Sequence, residues 1–236
     1  APLPFLAAVL LTFLAMHVKV WRWRVLLGSL GVVHGWRAAW IAYLSAGYVA
    51  MLTPGRIGEV VRVQYLRRDC ELPYALGLAV VTVDRLADMY VLALFAALGV
   101  AHYSAVLGDV VRITAWLGVA AAALGPLGLL LPGVAEAVLG RLYRRLSGGG
   151  EGLDQYLSTT RSLVRPVLVA TVALTLAAFG LNYVQGTLLA AALHTPLKLW
   201  DVTCLMAIAS LLSLLPVTVS GLGVREGFFA LVFPSL

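Results

Sequence analysis

Residues 53–62 read TPGRIGEVVR, which sets a helix breaker, two glycines and three charges among long apolar runs. Within a bilayer the backbone must satisfy its own hydrogen bonds, so a Pro-Gly break is tolerated only where it is packed in protein or lines a polar cavity. Residues 215–227, LPVTVSGLGVREG, form a second stretch of the same kind. Such breaks often mark a binding site. The two stretches therefore predict one polar cavity to which both contribute.

Composition favours a membrane protein. Hydrophobic residues make up 61% of the 236 residues and charged residues only 12%, and the mean hydropathy is +0.95. Soluble proteins carry roughly a quarter charged residues. The apolar runs have helical character and not the alternation of β-barrel strands; they lie near 4–18, 39–53, 75–100, 113–131, 166–193 and 202–216. We predict an all-α, polytopic helical membrane protein.

Two of these runs are too short to cross a bilayer, which takes about 20 residues. The run 39–53 ends before Pro54, and the run 202–216 ends at Pro216. Basic residues at 19–24 and at 56–68 flank the first short run, so a re-entrant hairpin keeps both groups on the cytoplasmic side. We therefore predict two broken or re-entrant segments. They enter from opposite faces in this topology, which is compatible with an inverted repeat.

A single transmembrane domain accounts for residues 1–236. The Gly-rich residues 147–152 suggest a flexible cytoplasmic loop between the halves 1–146 and 153–236. The abrupt ends at Ala1 and Leu236 suggest a fragment or a trimmed chain, and no signal peptide is recognisable. The net charge of +6 is best explained by membrane orientation, not by nucleic-acid binding.

Charged residues around the breaks are the candidates for a substrate site. Arginines offer a rigid donor fork to phosphate, and carboxylates can balance them. The predicted substrate-binding residues are Arg56, Glu59, Arg62, Asp84, Arg85, Asp88, Arg225 and Glu226. The predicted backbone breaks are Pro54, Gly55, Gly58, Pro216, Gly221 and Gly223.

The segment VDRLAD at 83–88 puts charges inside an apolar run. Asp84 and Asp88 share a helical face through their four-residue spacing, whereas Arg85 is expected to point elsewhere. Charges at this depth usually pair or face a cavity. Two interpretations stay open. One is structural ion pairing, of Arg85 with Glu59 or of Asp88 with an arginine of the first break; the other is a cavity wall for a charged substrate.

Other polar residues carry weaker signals. Asn182 and Gln185 lie three apart on one helical face, where they line the cavity or bond a neighbouring helix. Basic and indole side chains at 19–24 are expected at the membrane interface. The histidines and the two cysteines show no ligand spacing, so we predict no metal site, no cofactor and no catalytic residue.

These residues resemble a flippase-like integral membrane family that includes the transmembrane part of lysylphosphatidylglycerol synthase. The resemblance runs through residues 23–27, 54–62, 84–88, 215–216 and 221–226, with Asp84 where the family often has Glu. It implies a multi-pass protein of a prokaryotic cytoplasmic (inner) membrane that handles lipids, among them aminoacylated phosphatidylglycerol and lipid-linked sugars. The soluble aminoacyl-transferase domain of the synthase is absent from this sequence.

The leading interpretation is translocation of an anionic or lipid-linked membrane substrate, with a phosphate-bearing headgroup bound near the breaks. One alternative is a membrane enzyme or enzyme subunit that uses a lipid-linked substrate, with Asp84 or Glu59 as the base. Another is a noncatalytic partner of an envelope glycosyltransferase or synthase. A homo-oligomer is compatible with each, and the sequence favours a transporter over an enzyme.

Overall fold

All the secondary structure in the described part of the chain is helical. A computed structural model describes residues 2–53, 57–104, 108–130, 151–195, 197–213 and 222–232. The helices are α1 (Pro2–Gly28), α2 (Trp36–Leu52), α3 (Val61–Cys70), α4 (Tyr74–His102), α5 (Asp109–Leu130), α6 (Glu151–Ala192), α7 (Leu199–Leu212) and α8 (Val224–Val232), and a 3₁₀ turn, Ile57–Val60, precedes α3. The all-α prediction is confirmed.

Each predicted apolar run begins inside one helix. Among the described residues, Leu3–Gly28 and Gly152–Ala192 are long and apolar enough to cross a membrane. The short run 202–216 corresponds to α7, which has only 14 residues. Pro54, Gly55, Arg56, Pro216 and Gly221 lie outside the described residues, as does most of the predicted loop at 147–152.

Helix α6 begins 15 residues before the apolar run that predicted it. Residues 151–165 precede that run and are already helical, and the helix continues through Pro166. Their buried positions recur at helical spacing and face the rest of the protein; these positions are Leu153, Leu157, Thr160, Leu163 and Val167. The Tyr156 hydroxyl also lies 3.0 Å from Thr82 Oγ1 on α4. Of the predicted loop at 147–152, Glu151 and Gly152 are described, and both lie in α6.

The first break folds back on the helix that precedes it. Thr53 is extended (φ −113°, ψ 138°), as expected of a residue followed by proline, and it ends α2. Its Oγ1 accepts a hydrogen bond from the Gly58 amide at 2.8 Å. A Cβ on Gly58 would lie 2.6 Å from the Val49 carbonyl carbon, so only glycine lets the turn approach α2 this closely. This contact fixes the position of Glu59 and of α3.

Helix α4 is the central element, since it packs against α1, α3, α5, α6 and α7. Its first half joins an apolar cluster with α1, α2, α3 and α6, and its second half joins another with α5, α7 and α8. Asp84 and Asp88 lie between the two clusters, after Val83 and before Leu92. The charges of α4 are therefore placed where the two apolar cores meet.

The loop between α1 and α2 is held by a buried histidine. His34 is 2% exposed, and its backbone oxygen accepts a 2.8 Å hydrogen bond from Arg24 Nε. Its Nε2 lies 3.5 Å from Asp69 Oδ2 on α3. Burial lowers the pKa of His34 below its usual value near 6.5 despite the opposing effect of Asp69, and Arg24 lowers it further. The neutral imidazole is thus the form that the fold favours.

Gly58→Ala should lower the melting temperature of the purified protein, because the new methyl group collides with backbone atoms of α2. Overpacking of this kind costs about 1–3 kcal/mol. Gly47→Ala is the matched control: no atom lies within 4 Å of its Cβ position, and alanine favours a helix over glycine. Equal melting temperatures for the two variants would show that the turn does not need the close approach.

Stability should fall as the pH drops below about 6.5, the pKa of an unfolded histidine, because the unfolded state then binds a proton that folded His34 resists. Above that pH the His34 contribution is fully present. His34→Gln should flatten this part of the melting-temperature profile. A wild-type profile without this slope, or an unchanged slope in the variant, would contradict the assignment.

Candidate functional site

The carboxylates of α4 lie deep within the helix. Asp84 and Asp88 are ten and fourteen residues beyond Tyr74, or about 15 and 21 Å along the axis at helical rise. Asp84 is 0% exposed and Asp88 9%. As predicted from their spacing, both side chains project from one face of α4. Buried carboxylates require charged or hydrogen-bonding partners, and arginines supply them here.

Arg22 of α1 joins the two carboxylates. Its Nε donates to Asp84 Oδ1 at 2.8 Å, and its Nη1 donates to Asp88 Oδ1 at 2.5 Å. The same Nη1 lies 2.6 Å from Thr175 Oγ1 on α6. The guanidinium is completely buried. Arg22 thus connects three helices through one side chain.

Arg62 of α3 connects Asp84 to the first break. Its Nη1 donates to Asp84 Oδ2 at 2.9 Å, and its Nη2 donates to Glu59 Oε2 at 2.8 Å. The guanidinium carbon lies 4.6 Å from the ring centroids of both Trp23 and Tyr43. Cation–π contacts of this kind are strongest where water is excluded. Arg62 is therefore fixed by two carboxylates and two aromatic rings.

Arg85 completes the arrangement. Its Nη1 donates to Glu59 Oε1 at 2.7 Å, and its Nη2 lies 2.7 Å from Asp88 Oδ2. We name the resulting closed, alternating cycle the charge ring; in order, its members are Arg22, Asp84, Arg62, Glu59, Arg85 and Asp88. The side chain of Arg85 is 26% exposed, the most of the six. The ring is therefore formally neutral and open to its surroundings mainly at Arg85.

The ring both confirms and corrects the sequence-based interpretation. The predicted pair of Arg85 with Glu59 is present. Arg85 does not point away from the aspartates, because its long side chain reaches Asp88 one turn later. The predicted pair of Asp88 with an arginine of the first break is not found among the described residues. Asp88 pairs instead with Arg22 and Arg85, and Arg62 of the first break pairs with Asp84.

Arg22 was missed by the sequence analysis, which placed the whole stretch 19–24 at the membrane interface. Trp21 is half exposed and Arg24 lies 4.3 Å over the ring of Trp36. Arg22 and Trp23 instead face inward and are 0% exposed. Successive helical residues point about 100° apart, so a basic and aromatic run of six residues cannot keep every side chain on one face.

A cavity of about 300 Å³ lies among α6, α7 and α8. Asn182, Gln185, Ser210 and Arg225 are its polar lining residues. Tyr183 also lines it; the residue is 4% exposed, and its hydroxyl has no hydrogen-bond partner among the described residues. The remaining lining residues are Phe179, Gly186, Leu189 and Met206. The cavity is thus apolar on several sides, with a few convergent polar groups.

The cavity and the charge ring lie at successive levels of α6. Thr175, which touches Arg22, precedes Phe179 by one helical turn, and Asn182 follows less than a turn later. Helix α1 runs antiparallel to α6, since Gln185 Nε2 donates to Thr12 Oγ1 at 2.8 Å. Between these levels, Lys19 Nζ lies 5.5 Å from the centroid of the Phe179 ring. Polar side chains thus continue from the ring to the cavity.

The second break contributes Arg225 to the cavity, while Glu226 has a structural role. Glu226 Oε2 accepts a 2.7 Å hydrogen bond from the Gly223 amide at the start of α8, as an N3 carboxylate does in a helix cap. Gly223 has φ +86°, a left-handed conformation that favours glycine. Arg225 and Glu226 are therefore not members of the charge ring.

Neither a metal site nor a disulfide is evident in the described part of the chain. Its residues contain no group of three or more His, Cys, Asp or Glu side chains that could hold an ion. Cys70 and Cys204 are both free thiols. The chemistry that these residues offer is charge pairing and hydrogen bonding.

Asp84→Asn should strongly destabilise the protein, because Arg22 and Arg62 would each lose a charged partner in a buried site. Breaking a buried ion pair costs about 3–5 kcal/mol. Asp109→Asn is the control: Asp109 is 79% exposed and pairs with Arg112 at 2.6 Å, so its loss should cost less than about 1 kcal/mol. Thermal unfolding in detergent measures both, and similar small losses would contradict a structural role for the ring.

The whole chain matches one protein family. The family model described as lysylphosphatidylglycerol synthase TM region matches residues 1–236. Comparisons with curated proteins and with solved structures find no match. The family match and the two membrane-length helices together make this a membrane protein.

Proposed function

Because the chain belongs to the lysylphosphatidylglycerol synthase transmembrane family, we propose that it translocates a lipid whose phosphate-bearing headgroup occupies the cavity beside Arg225. The observation that carries this proposal is a cavity with several polar lining residues, one to two turns along α6 from a buried charge ring in an otherwise apolar helical protein. A headgroup needs a polar path through the membrane, since burying a charge without partners is costly.

The cavity has the groups that a phosphate ester requires. Arg225 supplies a cation, and the side chains of Asn182, Gln185 and Ser210 supply hydrogen-bond donors. The buried Tyr183 hydroxyl, which has no partner within the described residues, adds a further donor. Arg225 is the one charged residue among the described residues that line the cavity, so the site favours negative charge. A volume of about 300 Å³ is at the small end of ligand pockets, as suits a headgroup without its tails.

The acyl chains can remain in the bilayer beside this cavity. Gln185 bonds Thr12 of α1, and on both sides of Thr12 the chain exposes large apolar groups. Leu10 and Phe13 are each 62% exposed. Lipid tails would lie against this surface while the headgroup reaches between the helices. The division of polar and apolar groups therefore matches the two parts of a lipid molecule.

The charge ring supports the floor of the cavity in this proposal. Arg62 and Arg22 are fully engaged with carboxylates, so they position helices and do not contact the headgroup. Arg85 is likewise held by Glu59 and Asp88. Lys19, which lies next to Phe179, would attract the phosphate along the polar path. The predicted contact of Arg56 with the headgroup remains part of the proposal.

We place the protein in the cytoplasmic membrane of a prokaryote as a multi-pass protein, with α2 and α3 as a re-entrant hairpin. The support is the short length of α2 and its reversal at Thr53, after which α3 packs back on it. Basic residues flank this hairpin on both sides, as positive-inside topology requires. The opposed second break would then give the inverted arrangement of many transporters.

The enzyme alternative receives less support. A carboxylate base needs a free oxygen directed at its substrate. Asp84 is completely buried, and its oxygens bind Arg22 and Arg62. Glu59 is held by Arg62 and Arg85. These contacts favour a structural role for both groups.

Arg225→Gln should slow leaflet exchange of a fluorescent phospholipid in proteoliposomes by about tenfold or more. A charge-assisted hydrogen bond contributes about 1.5–3 kcal/mol, and about 1.4 kcal/mol corresponds to a tenfold change in rate. Arg112→Gln is the matched control, since Arg112 is also an exposed arginine but pairs with Asp109 away from the cavity. Equal exchange in wild type and Arg225→Gln would exclude this headgroup site. Product formation from a lipid-linked donor would instead favour an enzyme.

A further inference from the structure

A second cavity lies on the other side of the charge ring. It has a volume of about 210 Å³ and is formed by the 3₁₀ turn, α3 and the start of α4. Its lining is almost wholly apolar and consists of Val60, Val61, Val63, Gln64, Tyr74 and Leu78. Val60 and Tyr74 are each more than 40% exposed, so the cavity opens at the protein surface. The described lining residues carry no charge.

The guanidinium of Arg67 lies at the mouth of this cavity, next to the lining residue Tyr74. On α3, Arg67 follows Gln64 by three residues and Val60 by seven, so all three lie on one helical face. The guanidinium of Arg67 lies 4.8 Å from the ring centroid of Tyr74, itself a lining residue. Nearby arginines Arg62, Arg68 and Arg85 have carboxylate partners, whereas no ion pair in the described part of the chain uses Arg67. Its charge is therefore available at the rim.

In the topology proposed above, this rim lies at the membrane surface. Tyr74 begins α4 about 15 Å before Asp84, and aromatic residues at such positions favour the lipid headgroup region. The end of α3 is too polar for the hydrocarbon layer, since Arg67, Arg68 and Asp69 follow one another. This apolar cavity, which we call the slot, has a cation at its rim at this level. It would hold one lipid tail while the cation binds the phosphate of the same lipid.

We propose that this cavity binds an acyl chain of an anionic phospholipid whose phosphate is held by Arg67. The Gln64 amide, exposed beside the cavity, adds a hydrogen-bond donor to the same phosphate. A partner helix would need a larger groove than a cavity of about 210 Å³. A soluble anion would leave the apolar lining without a ligand. The charge and the apolar lining together select an anionic lipid.

Such a lipid would act on the charge ring without entering it. The ring residues Glu59 and Arg62 are neighbours in sequence of three valines that line the slot, Val60, Val61 and Val63. A chain packed against these valines would hold the 3₁₀ turn and α3 in place. The site is separate from the cavity at Arg225, and it does not depend on lipid translocation.

Melting curves of the purified protein in detergent provide the test. Dioleoyl phosphatidylglycerol should raise the melting temperature in a concentration-dependent way, because a ligand that binds only the folded state stabilises it. Dioleoyl phosphatidylcholine at the same concentration should raise it less. Glycerol phosphate, which has no acyl chain, should give no shift that depends on Arg67. Arg67→Gln should lose at least about half of the phosphatidylglycerol shift, because it removes the cation at the rim.

Two further variants complete the design. Val61→Phe fills the cavity and should lose the shift while Arg67 is retained. Arg112→Gln should keep the full shift, since Arg112 lines neither cavity. Equal shifts with both lipids, a full shift in Arg67→Gln, or no shift in the wild type would overturn the proposal. A glycerol phosphate shift that Arg67→Gln abolishes would show a free-phosphate site at the rim and overturn the role of the acyl chain.

Discussion

The buried charge ring is the constraint on which the rest of this structure depends. Three arginines and three carboxylates alternate in a closed cycle that joins α1, α3 and α4 to the 3₁₀ turn, and Thr175 extends it to α6. In a membrane, apolar side chains gain little by leaving lipid for one another, so polar contacts and close packing decide how helices associate. Buried ion pairs often add little net stability, but removing one partner of such a pair is costly. An arrangement of the helices that separated the ring residues would leave buried charges unpaired. The ring therefore favours the one arrangement in which all six charges are paired.

The ring also separates two sites with different characters. Toward one end of α6, Asn182 and Gln185 share with Arg225 a cavity suited to a phosphate-bearing headgroup. On the side of α3, a narrow apolar slot opens beneath Arg67 and suits a lipid tail. Both sites combine one available cation with apolar surface, which is the combination that a phospholipid requires.

Much of the fold could be predicted from the sequence because apolar runs and proline positions directly reflect membrane helices. The shared face of Asp84 and Asp88 followed from their spacing, and the pair of Arg85 with Glu59 followed from the cost of isolated charges in lipid. Arg22 could not be found in this way, since its neighbours Trp21 and Arg24 have the interfacial environment that composition predicts. Its burial depends on the antiparallel register of α1 against α6, which is a tertiary property. The start of α6 before its apolar run could have been predicted from the helical spacing of Leu153, Leu157 and Thr160, which a search for apolar runs alone does not detect.

The most direct test of the central claim is crosslinking with a phospholipid that carries a photoreactive group on its headgroup, followed by mapping of the modified peptides. The account predicts modification of α6 near Asn182 and Gln185 and of the start of α8, with loss of this labelling when an excess of unlabelled phosphatidylglycerol is added. Labelling confined to the exposed apolar face of α1 would contradict it, because the headgroup would then remain outside the helices.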